Sequence, residues 1–101
     1  MWYNVGMSID ELRTKIAPVL RRYDVRDAAE IGYVARHEET PTSDVDVMVD
    51  FASPVGLIAY SRLGNELEAA LGRPVDLLTP ASINEHLRPY VSQDLVTVYE
   101  G

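Results

Sequence analysis

The feature that most constrains the fold is an eight-residue stretch in the middle of the chain, DVDVMVDF, at residues 44–51. Val45, Val47 and Val49 alternate in it with Asp44, Asp46, Met48 and Asp50. Successive side chains of a β-strand point to opposite faces, so this alternation predicts a strand with one buried and one open face. Because a buried sheet face needs a second layer packed on it, the stretch predicts a layered fold.

The segments on either side predict two long helices that supply this second layer. A capping box, SIDE, begins at Ser8, and apolar residues recur after it at helical spacing. The second helix is expected to take Ser53 as N-cap and Pro54 as its first residue, and to run to about Leu71, where Gly72 ends it. The apolar positions expected to face the core are Ile9, Leu12, Ile16, Val19, Leu20 and Tyr23 in the first helix, and Ile58, Leu63, Leu67 and Leu71 in the second.

Three further apolar segments predict strands, which are AAEIGY ending near Gly32, PVDLLT and LVTVYE. Residues 24–27 are expected to form a polar exit from the first helix, and short helices are expected at residues 34–37 and 82–86. The predicted order is helix, strand, short helix, strand, helix, strand, short helix, strand. Strands that alternate with helices predict an α/β or α+β fold of two layers, a sheet with helices packed on it.

Length and composition limit the class of protein. We expect residues 1–101 to form a single domain, because a chain of this length supports one core. No apolar run approaches the ~20 residues of a membrane span, and the N-terminus lacks the features of a secretory signal. The chain has no cysteine, which fits a reducing compartment, and we expect a cytoplasmic protein. The net charge of -7 makes nucleic acid an unlikely direct ligand.

Three acids stand in segments that otherwise read as buried strands. Asp44 and Asp46 lie two residues apart, so both side chains point to one face of the strand, roughly 6–7 Å apart. Asp76 is a lone acid in PVDLL, a segment that can pair beside this strand. One interpretation is the solvated face of a half-exposed sheet. The other is a site for a divalent cation such as Mg²⁺, which prefers carboxylate oxygens and phosphate.

The segment GYVARHEETPTSDVDVMVDF resembles the signature of the minimal nucleotidyltransferase (MNT) domain of the DNA-polymerase-β-like superfamily. That signature is Gly-Ser, ten residues, then Asp-x-Asp, commonly written G-S-x-A-R-G followed by S-D-x-D. Here Gly32 and Tyr33 are followed by ten residues and then by Asp44, Val45 and Asp46. The likeness extends from about residue 8 to residue 100. It implies the two-layer nucleotidyltransferase fold, with a mixed four-stranded sheet and helices packed on it.

The resemblance also implies roles for the three acids and a reaction. Asp44, Asp46 and Asp76 are the implied metal ligands and catalytic residues. Asp44 and Asp46 would hold Mg²⁺ against the triphosphate of ATP, and Asp76 would help to activate the incoming hydroxyl. The implied reaction is an in-line attack on the α-phosphate in which pyrophosphate leaves.

The implied nucleotide-binding residues are Gly32, Tyr33, Arg36 and Ser43. A glycine at the turn after a strand lets phosphate approach the backbone amides. Arg36 suits contact with phosphate and, equally, an ion pair with a neighbouring glutamate. These two roles of Arg36 stay open.

Many small members of this family are antitoxins encoded beside a HEPN-domain ribonuclease toxin, and some transfer AMP from ATP to a toxin tyrosine. The resemblance therefore implies a HEPN-domain toxin as partner and a hetero-oligomer. A transferase acting on RNA or another small acceptor is a weaker alternative, because the acidic net charge disfavours it.

Two positions depart from the family pattern. Tyr33 stands where the family has serine, and His37 stands where it has glycine. The tyrosine hydroxyl lies several ångströms further from the backbone than a serine hydroxyl and cannot take its place. Loss of one such donor typically costs on the order of 10²–10³ in rate. The alternative function is therefore an impaired module that neutralises its toxin by binding alone.

Overall fold

The computed structural model describes residues 7–30, 44–80 and 95–101. In chain order the elements of these residues are α1 Ile9–Arg22, β1 Val25–Glu30, β2 Val45–Phe51, α2 Leu57–Leu71, β3 Val75–Leu78 and β4 Val96–Tyr99. The two long helices and four strands correspond to those predicted, whereas the short helices expected at 34–37 and 82–86 lie outside the described residues. Over the described ranges, neither helix is long and apolar enough to cross a membrane.

The four strands form one mixed sheet in the order β3-β2-β1-β4. β1 pairs antiparallel with both β2 and β4, whereas β2 and β3 are parallel and are joined through α2. Parallel neighbours require such a crossover connection, because the chain must return to the starting edge before the second strand begins. The crossover through α2 therefore brings β3, which carries Asp76, beside β2, which carries Asp46.

Both helices pack on the valine face of the sheet. The buried apolar side chains form one core: Met7, Leu12, Ile16, Val19, Leu20, Val25, Ala28, Val45, Val47, Val49, Leu63, Leu67, Leu71 and Val98. The predicted alternation in β2 is confirmed, since its three valines are buried while Asp46, Met48 and Asp50 are only partly buried. The acids thus lie on the face that no described helix covers.

Local signals predicted two helix ends correctly. The Ser8 side chain accepts a hydrogen bond from the Glu11 amide at 3.0 Å, as the capping box predicts. The Glu11 carboxylate forms an ion pair with Lys15 at 3.1 Å. α2 ends at Gly72, which has a φ of 71° and donates its N–H to the Glu68 carbonyl oxygen at 2.8 Å. A glycine is favoured there because other residues are strained at positive φ.

The predicted start of α2 is wrong. The helix begins at Leu57 with Gly56 as N-cap, and Ser53 does not cap it. The Ser53 hydroxyl instead donates to the Asp24 side chain at 2.9 Å, and the Ala52 amide donates to the Asp24 carbonyl oxygen at 3.0 Å. These contacts hold residues 52–53 against the turn that follows α1, so the helix starts later.

The predicted polar exit from α1 and the predicted burial of Ile58 are also wrong. Asp24 adopts a φ of 57° and turns the chain sharply, so β1 begins at Val25 and not after a polar exit at 24–27. Ile58 is 73% exposed, although it was expected in the core. Ile58 precedes Leu63 by five residues, which is about 140° out of phase with the buried face at 3.6 residues per turn.

Candidate active site

The candidate site lies on the open face of the sheet, where β2 and β3 run side by side. Asp46 and Asp76 occupy matching positions of the parallel pair. The Val45 amide donates to the Pro74 carbonyl oxygen at 2.9 Å, which fixes the beginning of this pairing. Side chains at matching positions point to the same face of adjacent strands, which are ~4.8 Å apart. The structure therefore brings together two of the three predicted acids.

The environment of Asp46 disfavours its charged form. Burial is the largest cause that raises the pKa of the Asp46 carboxyl from 3.8 to about 6. The remaining causes are a hydrogen bond shared with Asp76 and the negative charges of three acids, which are Asp76, Asp44 and Glu30. Like charges held close together disfavour ionisation, so one proton is retained more tightly at this pair. The site therefore has an excess of negative charge that a cation would relieve.

Asp44 lies immediately before β2 and is exposed. Its charge acts on Asp46, which places it in the same neighbourhood. Within the ranges the structure describes, no group of three or more His, Asp or Glu side chains is close enough to hold a metal ion together. The assignment of all three acids as metal ligands stays a prediction.

Asp44 and Asp46 fit Mg²⁺ by their chemistry. Both side chains offer hard oxygen donors, and Mg²⁺ is usually held by one or two carboxylates, with water and phosphate completing its octahedral coordination. The raised pKa of Asp46 reflects its burial and the carboxylates around it, and a divalent ion bound there would favour the charged form of Asp46.

Glu30 is an acid of this region that the sequence analysis did not single out. It ends β1, is fully buried, and is in register with Val47 of β2 and Val96 of β4. Its charge contributes to the raised pKa of Asp46. The available signal was the one that identified Asp76, a lone acid in an apolar strand segment, here AAEIGY.

The predicted nucleotide-binding residues Gly32, Tyr33, Arg36 and Ser43 lie outside the described residues. Their roles, including the two open roles of Arg36, stay predictions. The described part of the site therefore consists of the acids Asp44, Asp46 and Asp76. Their chemistry suits the binding of a cation together with a phosphate group that the cation contacts.

Residues 13–97 match the nucleotidyltransferase domain family. A Methanocaldococcus jannaschii protein, provisionally named a protein adenylyltransferase, is 39% identical over 92 residues, which cover 91% of this chain and 99% of that protein. Protein adenylyltransferase MntA of Thermococcus cleftensis is 35% identical over 77 residues, which cover 76% of this chain and 78% of MntA.

Two solved structures share the fold. One, provisionally named a minimal nucleotidyltransferase, matches with a TM-score of 0.72 and 30% identity over 89% of this chain and 95% of its own. The other is a chain of the complex between the tri-AMPylated HEPN toxin of Shewanella oneidensis and its MNT antitoxin, with a TM-score of 0.70 and 23% identity over 92% of this chain and 73% of its own. These likenesses confirm the predicted fold class.

Proposed function

Since this chain belongs to the nucleotidyltransferase domain family, we propose that it is an antitoxin that neutralises a HEPN-domain ribonuclease toxin in the cytoplasm. It would do so by transferring AMP from ATP to a tyrosine of the toxin, with Mg²⁺ as the metal and as part of a hetero-oligomer. The observation that carries the proposal is the pairing of Asp46 with Asp76 on the open face of the sheet. The name of MntA and the AMPylated toxin of the Shewanella complex support a HEPN toxin as the acceptor of AMP, and the tyrosine is what the family resemblance implies.

The reaction is a displacement at phosphorus. A bond forms between the tyrosine oxygen and the α-phosphorus of ATP, and the bond from that phosphorus to the bridging oxygen breaks, so pyrophosphate leaves. Asp76, which is exposed, accepts the proton of the attacking hydroxyl. Asp44 and Asp46 would hold Mg²⁺, and a metal bound there would supply positive charge to offset that of the triphosphate and of the leaving pyrophosphate.

A second candidate function is neutralisation by binding alone. The observation that favours it is Tyr33 in place of the motif serine, because a tyrosine ring that points to the phosphates would fill the space they need. In this case the acids would be retained from a catalytic ancestor and the partner would still be bound. Nucleic acid is not the direct ligand in either case.

The deciding experiment incubates the protein with α-labelled ATP, Mg²⁺ and the HEPN-domain toxin encoded beside it. We expect label on a toxin tyrosine, lost in Asp44→Asn and in Asp46→Asn. Asp50→Asn is the matched control, because Asp50 lies on the same strand and on the same face as Asp46 but outside the site. Label that survives Asp46→Asn would rule out the proposed chemistry.

The same assay separates the two candidate functions. We expect Tyr33→Ser to raise the rate of transfer, on the order of 10²–10³-fold if the serine hydroxyl restores one missing phosphate donor. Toxin that is neutralised with no label transferred by the parent, while Tyr33→Ser does transfer label, would favour the binding function.

A further inference from the structure

β3 is an edge strand whose position decides where Asp76 lies. It is four residues long and, in the sheet formed by the described residues, pairs only with β2. Backbone groups of a strand point alternately to either side. The Pro74 carbonyl points to β2. The backbone amide and carbonyl of Asp76 therefore also point to β2, whereas the backbone amides and carbonyls of Val75 and Leu77 point to the open edge. Such an edge is held by fewer hydrogen bonds than a central strand.

Side chains of α2 form hydrogen bonds with two of these outward backbone groups, one on Val75 and one on Leu77. The Tyr60 hydroxyl donates to the Leu77 carbonyl oxygen at 2.6 Å. The Val75 amide donates to a Glu68 carboxylate oxygen at 3.0 Å. Tyr60 and Glu68 are eight residues apart on α2, so they lie on one stripe of the helix, about two turns apart.

The middle of this stripe fits against the strand. Gly64 lies four residues from both Tyr60 and Glu68, and a Cβ atom placed on it would stand 3.9 Å from the Leu77 side chain. The Tyr60 ring also contacts Phe51 at the end of β2, with ring centroids 6.3 Å apart. Tyr60 is thus placed against both parallel strands, and the stripe of Tyr60, Gly64 and Glu68 follows β3 along its length.

We infer that Tyr60 and Glu68 are positioning residues that hold β3 in the register that places Asp76 beside Asp46. A slip of one residue along β2 would move Asp76 to the other face of the sheet, away from Asp46. The two hydrogen bonds from α2 oppose that slip, because each matches one particular backbone group of β3. The catalytic consequence rests on the proposed function, whereas the structural consequence does not.

The structural test is amide hydrogen exchange of the full chain measured by NMR. Tyr60→Phe keeps the ring and removes the hydroxyl, and Glu68→Ala removes the acceptor. We expect each variant to speed exchange of the Val45 and Asp76 amides about fivefold, and the double variant about 25-fold. The reason is that the net loss of one hydrogen bond changes the equilibrium between the paired and the open strand by roughly a factor of five. Amides between β1 and β2 should keep their rates.

Two conservative variants serve as controls. Glu68→Gln retains an oxygen acceptor for the Val75 amide, so it should exchange like the parent. Tyr23→Phe removes a tyrosine hydroxyl that donates a hydrogen bond to Glu66. This bond joins the end of α1 to α2 and lies away from β3, so the exchange rates of the Val45 and Asp76 amides should not change. Unchanged exchange of these two amides in the double variant would overturn the inference.

The functional readout is AMP transfer at varied ATP concentration. We expect the double variant to lose at least fivefold in kcat with an unchanged KM for ATP, because Asp76 acts on the acceptor hydroxyl, and Glu68→Gln to retain the parent kcat. An unchanged kcat in the double variant, with exchange accelerated, would overturn the catalytic consequence. A parent that transfers no AMP contradicts the proposed function only, and the exchange rates still decide the positioning role.

Discussion

Asp46 is the residue at which stability and the proposed activity conflict. Its side chain is half-buried beside Asp76, and burial together with neighbouring negative charge raises its pKa to about 6. A raised pKa of an acid means that the folded protein holds the proton more tightly than the unfolded chain does. The contribution of Asp46 to the free energy of unfolding therefore falls as the pH rises from 3.8 through about 6.

Replacing this carboxyl should stabilise the protein at neutral pH. We expect Asp46→Asn to raise the free energy of unfolding by about 1 kcal/mol at pH 8, allowing for solvent screening of a half-exposed group, and to have little effect below pH 4. Urea denaturation of both proteins across this pH range measures the difference. A difference between Asp46→Asn and parent that does not change with pH would contradict the assignment.

At the scale of elements, α2 links the core to the site. Leu63, Leu67 and Leu71 bury one face, and the Tyr60–Glu68 stripe lies along β3. Periodicity in the sequence predicted the buried face, because Leu spacing of four residues is local information. It did not predict the stripe, since nothing local to Tyr60 or Glu68 indicates which backbone groups of β3 they bind.

Replacing Gly64 inside α2 and Gly72 directly after α2 by alanine should change the stability of the protein in opposite directions. Gly64 is helical, and a Cβ there meets only an ordinary contact at 3.9 Å, so Gly64→Ala should stabilise the protein by about 0.5–1 kcal/mol. Gly72 has a φ of 71°, so Gly72→Ala should destabilise it by about 1 kcal/mol. Thermal and urea unfolding of both variants measure these changes. Equal signs for the two variants would contradict the assigned backbone conformations.

At the scale of the whole molecule, the two faces of the sheet have separate tasks. One face is covered by both helices and supplies the core, and the other carries Asp46, Asp50 and Asp76. A ligand that binds the acidic face stabilises only the folded chain, because the paired acids exist only when β2 and β3 are aligned. Binding should therefore be visible as a gain in stability of the entire protein.

Mg²⁺ with ATP should raise the free energy of unfolding. A ligand present at 100 times its Kd adds about 2.7 kcal/mol. We expect thermal unfolding of the parent to shift upward with increasing MgATP, and the shift to be lost in Asp46→Asn and kept in Asp50→Asn. Titration with Mg²⁺ alone determines whether the metal binds without nucleotide. An equal shift in Asp46→Asn would contradict binding at this acid.

The sequence by itself determined the features whose causes are local. The valine alternation of β2, the Ser8 cap and the Gly72 stop each depend on neighbours within a few residues, and all three agree with the structure. The motif spacing that identified Asp44 and Asp46 is local in the same sense. Its Gly32–Ser43 half lies outside the described residues and stays a prediction.

Only the tertiary structure decided the features that depend on residues distant in sequence. Ser53 donates a hydrogen bond to Asp24 and does not cap α2 as predicted. Glu30 is buried because its strand lies between β2 and β4. The raised pKa of Asp46 requires Asp76 of a neighbouring strand, and the position of Asp76 depends in turn on α2. Such contacts join residues 17 to 66 positions apart, which no local pattern encodes.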